Sequence, residues 1–142
     1  MEKLLTYNDY ESIYLKFQAK AKKIAQKLGI KLPDTYYRYG ITECWNCGRE
    51  IIVFAWPKEK WSNAEPKLKP YPKTIQYQFS QTIGSKYWVN TCPYCKAIQG
   101  DFYLYCEPDG PFFGADIKED SPEAFKEDML TIALRASING II

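Results

Sequence analysis

Cys44-Trp45-Asn46-Cys47 and Cys92-Pro93-Tyr94-Cys95 are two C-x2-C pairs in a 142-residue chain that has five cysteines and no histidine. A tight turn of backbone holds two thiolates on one side of an ion, at Zn–S distances of about 2.3 Å, and two such turns supply a tetrahedral four-sulfur shell. Gly48 follows the first pair and suits such a turn, because glycine takes positive φ without steric cost. The residues just outside the pairs favour extended chain. Ile51–Trp56 is the clearest strand pattern in the sequence and follows the first pair, and Lys86–Val89 leads towards the second. Each pair is therefore expected at the end of a strand, with Cys44, Cys47, Cys92 and Cys95 as ligands of one Zn²⁺.

In those four residues and the strands beside them the chain resembles zinc-ribbon proteins in general, in which two hairpin-like knuckles clamp one ion. The resemblance covers roughly half of the chain and implies an antiparallel β core organised by a structural metal. Two departures are visible. Lys96 stands where the ribbon pattern often has glycine, and residues 48–91 form a longer insertion than the compact motif carries. A saturated four-cysteine shell leaves no position for water or substrate, so the zinc is expected to be structural and not catalytic.

Helices are expected on both sides of this core. Asn8 and Glu11 have the form of a capping box, and Tyr10, Ile13, Tyr14, Phe17, Ala21, Ile24 and Leu28 recur at spacings of three and four until Gly29. Ser121-Pro122 opens a second helix, with Phe125, Met129, Ile132, Ala133 and Ala136 on one face and Asn139-Gly140 at its end. Between them, Tyr36–Glu43, Thr74–Phe79 and Phe102–Cys106 are further expected strands, Pro108-Asp109-Gly110 is a turn, and residues 57–73 form a long proline-punctuated loop. The expected fold is α+β in a single domain, 1–142: an N-terminal helix within 1–30, a zinc-ribbon-like core over 35–113, and a C-terminal helix over 121–139.

Composition narrows the function. Without histidine there is no imidazole base, ligand or nucleophile partner. No apolar run spans a membrane, and the N-terminal stretch Met1–Asp9 lacks the apolar segment of a secretory signal, so a cytoplasmic location is expected. The net charge is +2, unevenly spread: residues 1–104 carry 16 Lys+Arg against 9 Asp+Glu, and residues 105–142 carry 3 against 8. An acidic tail of this kind can dock on the basic body, or can discourage non-specific nucleic-acid binding. Aromatic residues make up 16% of the chain and interleave with cations near the knuckles, a composition able to stack on bases and meet phosphate, or to anchor a protein partner. The candidate contact residues are Arg38, Lys58, Lys60, Trp61, Lys67, Lys69, Tyr71 and Lys73, with protein and nucleic acid both open as partners and no small-molecule substrate or catalytic residue assigned.

Two enzyme readings stand beside this. Cys92-Pro93-Tyr94-Cys95 resembles the active-site motif of glutaredoxins, which implies a thiol–disulfide redox function with Cys92 as nucleophile, although that family follows the motif with a helix. Pro108-Asp109 with Asp116-Ile117-Lys118 faintly resembles a Mg²⁺-dependent nuclease motif, in a spacing shorter than that motif normally uses. Cys106 is expected to be a buried, inert thiol on a strand face shared with Phe102 and Leu104.

Overall fold

A computed structural model describes residues 6–59 and 64–142. Helix α1 runs over Tyr7–Leu28 and buries Phe17, Ala21 and Ala25. Its cap is Thr6, not Asn8. The Thr6 hydroxyl accepts the Asp9 N–H while the Asp9 carboxylate accepts the Thr6 N–H, so the capping box forms two residues earlier than expected and Asn8 falls inside the first turn. Gly29 ends the helix at φ 66°, as expected. Strands β1 (Arg38–Glu43) and β2 (Glu50–Ala55) form an antiparallel hairpin with Ile41 opposite Ile52. β1 starts later than Tyr36 because Tyr36 sits at φ 63°, outside strand geometry.

Strands β3 (Ile75–Ser80), β4 (Ser85–Thr91) and β5 (Ile98–Gln99) form a second antiparallel sheet in the order β3-β4-β5. Helix α2, Pro122–Ile138, is capped by Ser121, whose hydroxyl accepts the Ala124 N–H. Its Met129, Ile132, Ala133 and Ala136 are buried with the α1 face and the β1–β2 hairpin in one core. The fold is thus α+β, two helices flanking two antiparallel sheets. β2 is buried along Ile51–Ala55, so its uninterrupted apolar run reflects cover on both faces. Gly40 on β1 admits the segment after β5: an added Cβ there would stand 2.9 Å from Pro111 and 3.2 Å from Phe112.

Phe102–Cys106 departs from the expected strand and forms a π-helical turn. A short apolar run carries no period that separates strand from helix, and the turn buries Leu104 while leaving Phe102 exposed. The shared face expected for Phe102, Leu104 and Cys106 therefore does not exist.

Away from the knuckle turns, a side-chain amide links β4 to β2. Asn90 on β4 accepts the Phe54 N–H at 2.7 Å and donates to the Phe54 carbonyl at 2.8 Å, supplying β2 with the pairing a neighbouring strand would give. Its amide does for two buried backbone groups what a ladder does for many. Among the described residues, no helix is long and apolar enough to cross a membrane.

Candidate metal centre

The turn between β1 and β2 is Cys44–Cys47, and the turn between β4 and β5 is Cys92–Cys95. The two turns are built alike. The N–H of the first cysteine donates to the carbonyl five residues on, Arg49 in one and Ala97 in the other, both at 2.9 Å. The N–H four residues on, Gly48 or Lys96, returns to the first cysteine's carbonyl, again at 2.9 Å in both. The backbone N–H of the second residue after it, Asn46 or Tyr94, points at its sulfur at 3.4 Å. Both turns need a left-handed residue after the second cysteine: Gly48 has φ 75° and Lys96 has φ 69°.

Lys96 thus occupies a glycine position at a cost. A non-glycine residue in left-handed geometry loses roughly 1–2 kcal/mol, of which glycine's greater unfolded freedom returns roughly 0.4–1. Lys96→Gly is expected to stabilise the protein by about 0.5–1 kcal/mol, read from the midpoint of urea unfolding.

The knuckles face one another and bring all four thiols within 4.8 Å, a group that can hold a metal ion and the one such cluster of His, Cys, Asp or Glu among the described residues. Cys44 lies 3.6 Å from Cys95, and Cys47 lies 3.7 Å from Cys92, sulfur to sulfur. Cys44 and Cys92 are buried, while Cys47 and Cys95 lie nearer the surface. Further donors surround the sulfurs. The Gln99 amide from β5 points at Cys44 at 3.3 Å, and the Asn46 amide at Cys95 at 3.5 Å. The Trp45 indole N–H donates to the Ile98 carbonyl at 2.6 Å, tying the first knuckle to the strand that follows the second. Arg49 stacks on the Tyr94 ring at 4.6 Å, a second link between them.

These donors set the thiol acidities. Burial pushes the Cys92 thiol up to about 11. The Asn46 amide, with the Ala97 N–H, brings Cys95 down to about 6. At Cys44 burial opposes ionisation, but the N–H groups of Cys47 and Asn46 and the Gln99 amide together lower its value. The glutaredoxin resemblance implies Cys92 as the reactive thiolate; in this structure burial pushes the Cys92 thiol up, the opposite of what activates a nucleophilic cysteine.

No protein-family model matches the chain, and no curated protein or solved structure is significantly similar to it.

The candidate contact residues are dispersed. Arg38 is fully buried and belongs to the core, which corrects its place on an outer surface: its guanidinium donates to Asp128 at 2.9 Å and to the Tyr36 and Glu119 carbonyls. One acid of the C-terminal segment, Asp128 on α2, thus pairs with a cation of β1. Lys58 is also withdrawn, its side chain only 8% exposed, paired with Asp101 at 3.1 Å and placed over the Trp56 ring at 4.7 Å. Burial raises the Asp101 carboxyl above its ordinary value although Lys58 pulls it down. Cys106 joins this pair in lining a cavity of about 330 Å³.

Lys60 and Trp61 lie outside the described residues. Lys67, Lys69 and Lys73 are exposed, and Tyr71 is half-buried. Their segment is fastened and not free: the Lys67 N–H donates to the Tyr36 hydroxyl at 2.8 Å, the Tyr37 hydroxyl donates to the Leu68 carbonyl, and Lys73 caps the Leu28 carbonyl at 2.9 Å. Asp109 and Asp116 join no candidate metal cluster among the described residues, and Lys118 forms an exposed ion pair with Asp116 at 3.6 Å.

Gln99, Asn46 and Asn90 escaped the sequence reading. The usable signal was a polar residue within or one strand from a knuckle, at a place where the strand pattern calls for an apolar one.

Proposed function

We propose that the protein is a non-catalytic binding module whose two hairpins are clamped by one structural Zn²⁺, and that it offers a basic, aromatic surface to a macromolecular partner. The sulfur spacing carries the metal assignment. Four sulfurs at about 2.3 Å from a central ion stand about 3.8 Å apart in a regular tetrahedron. The cross-knuckle separations are 3.6 and 3.7 Å. A disulfide needs about 2.05 Å. The donor set also fits: four soft thiolates with no oxygen or nitrogen ligand suit zinc and leave no open position for catalysis. Zinc bound there would hold the β1–β2 hairpin against the three-stranded sheet. The partner surface draws support from the exposed lysines 67, 69 and 73 beside Tyr71.

The test is metal analysis of protein purified without added metal, paired with alkylation. One zinc per chain is expected, with the thiols of Cys44, Cys47, Cys92 and Cys95 protected and Cys106 the only one modified in the metal-bound protein. Zinc-free protein carrying a reversible Cys92–Cys95 disulfide would replace this reading with a redox one.

A further inference from the structure

One face of the β3–β4 hairpin carries a row of rings that runs out to solvent at the end away from β2. Tyr77 on β3 stands opposite Trp88 on β4, and their ring centroids are 5.3 Å apart. Tyr71 also meets Trp88, at 5.2 Å and edge to face. Phe79, two residues beyond Tyr77, lies on the same side of the strand and extends the row. Ile75 and Asn90 at one end of this face are buried, Asn90 against Phe54 of β2, and the face opens to solvent towards Tyr77, Phe79 and Lys86, with Trp88 half-buried between. Tyr77 is 52% and Phe79 56% exposed, high values for rings on a regular strand. Two cations flank the row: Lys86 lies over Tyr77 at 5.9 Å and Lys69 over Tyr71 at 5.8 Å.

Charge singles out the occupant. Between Glu65 and Asp101 the sequence has no acidic residue, while Lys67, Lys69, Lys73, Lys86 and Lys96 fall inside that span. The whole three-stranded sheet is built from it. Glu65 stands at one end, where its carboxylate accepts the Tyr71 hydroxyl at 2.7 Å. Protein interfaces deplete lysine around their aromatic anchors, whereas rings edged by cations are how unpaired bases and their phosphates are held together, and the strands that carry Tyr77, Phe79 and Lys86 have no acidic residue. A duplex hides its base faces inside the stack and cannot use the rings.

We propose that this face binds single-stranded nucleic acid, with bases stacked on Tyr77 and Phe79 and phosphates met by Lys86, Lys69 and Lys67. It deepens the binding-module reading and rests on it for the metal-held shape of the sheet.

The test uses the full chain with its zinc content measured on the same sample. Fluorescence titrations with ten-nucleotide oligo-dT and oligo-U, and with a ten-base-pair duplex, separate DNA from RNA and single from double strands. The single strands are expected to bind more tightly than the duplex, with log K falling against log salt at a slope of about −2 for three phosphate contacts. Tyr77→Ala and Phe79→Ala should each weaken binding about 5- to 150-fold, the range for a lost base stack. Lys86→Gln should flatten the salt slope by about 0.7. Tyr77 and Phe79 are exposed, so these variants keep the fold, and Lys86→Gln provides a readout that removes no ring.

Zinc-loaded protein that binds neither oligonucleotide overturns the nucleic-acid proposal and leaves the metal module standing. Binding unaffected by all three variants overturns the placement on this face. Self-association abolished by Tyr77→Ala, without oligonucleotide binding, overturns it in favour of a second copy of the chain. Oligonucleotide binding by zinc-free protein would sink the metal reading alone.

Discussion

Stripping the ion with a strong chelator, or replacing Cys92 by serine, is expected to unfold the three-stranded sheet and to lower the melting temperature by more than about 10 °C, since each 1 kcal/mol is worth about 2–4 °C or more in a domain of this size. The size of the effect follows from where the energy sits. Apparent zinc binding energies of about 10–16 kcal/mol in finger peptides rival the whole stability of a domain, about 5–15 kcal/mol. In this fold the share of an ion held by the four cysteines would fall unevenly. The helices and the β1–β2 hairpin share one apolar core through Phe17, Ile52, Phe54, Met129 and Ile132. The β3–β5 sheet contributes chiefly Ile75, Tyr87 and Val89 to the buried set and joins β2 through Asn90 and the knuckles. Loss of metal should therefore raise amide exchange across residues 75–99 well before 7–28, and remove near-ultraviolet dichroism from Trp88 and Tyr77 while helical dichroism persists. Acid has the same sense: ligand thiols must be deprotonated to bind, so metal is released and protons are taken up as pH falls. Cys106→Ser is the control and should keep full zinc. Uniform loss of protection over the whole chain, or none, would contradict this division of labour.

That division also shows what could be seen in the sequence. The knuckles were legible because their chemistry is local: two cysteines three apart with a left-handed residue after them describe a turn whatever surrounds it, and Lys96 adopts the glycine geometry at that place without being glycine. Ser121-Pro122 and Gly29 were legible for the same reason, since caps act within one turn of chain. What stayed hidden depends on distant partners. Phe102–Cys106 is rich in strand formers, yet closes on itself as a π-helical turn with Phe112 donating to the Leu104 carbonyl at 2.9 Å. Asn90 looks like a polar residue near a strand end until Phe54 is placed beside it. Arg38 looked like a surface cation among aromatics, because nothing near it announces that its counter-ion lies 90 residues away on α2.

That pair gives the other large effect. Asp128→Leu alone is expected to cost about 3–5 kcal/mol in urea unfolding, because it leaves a guanidinium without countercharge inside the protein. Arg38 is 0% exposed, with Phe125 at 5.5 Å from its guanidinium carbon, so solvent cannot take over the role of the carboxylate. The double variant Arg38→Met/Asp128→Leu should recover at least half of that loss, since apolar groups of similar volume replace a buried ion pair at small or even favourable net cost. Full recovery is not expected, because the Tyr36 and Glu119 carbonyls lose the donors they now have. The titration of Asp128 points the same way. Burial raises its carboxyl above the ordinary carboxylate value, with Arg38 pulling it down but not far enough, so attraction does not offset the full cost of desolvation. A carboxyl raised on folding holds its proton more tightly in the folded state; its contribution to stability is greatest below its ordinary value and is lost as pH rises through the raised one. In the double variant the Asp128 part of this slope should be lost, while the part from Asp101, whose carboxyl burial also raises, should remain. If the double variant is instead as unstable as Asp128→Leu, the pair is held together by more than charge, and the hydrogen bonds from Arg38 to the Tyr36 and Glu119 carbonyls are what fasten β1 to the segment leading into α2.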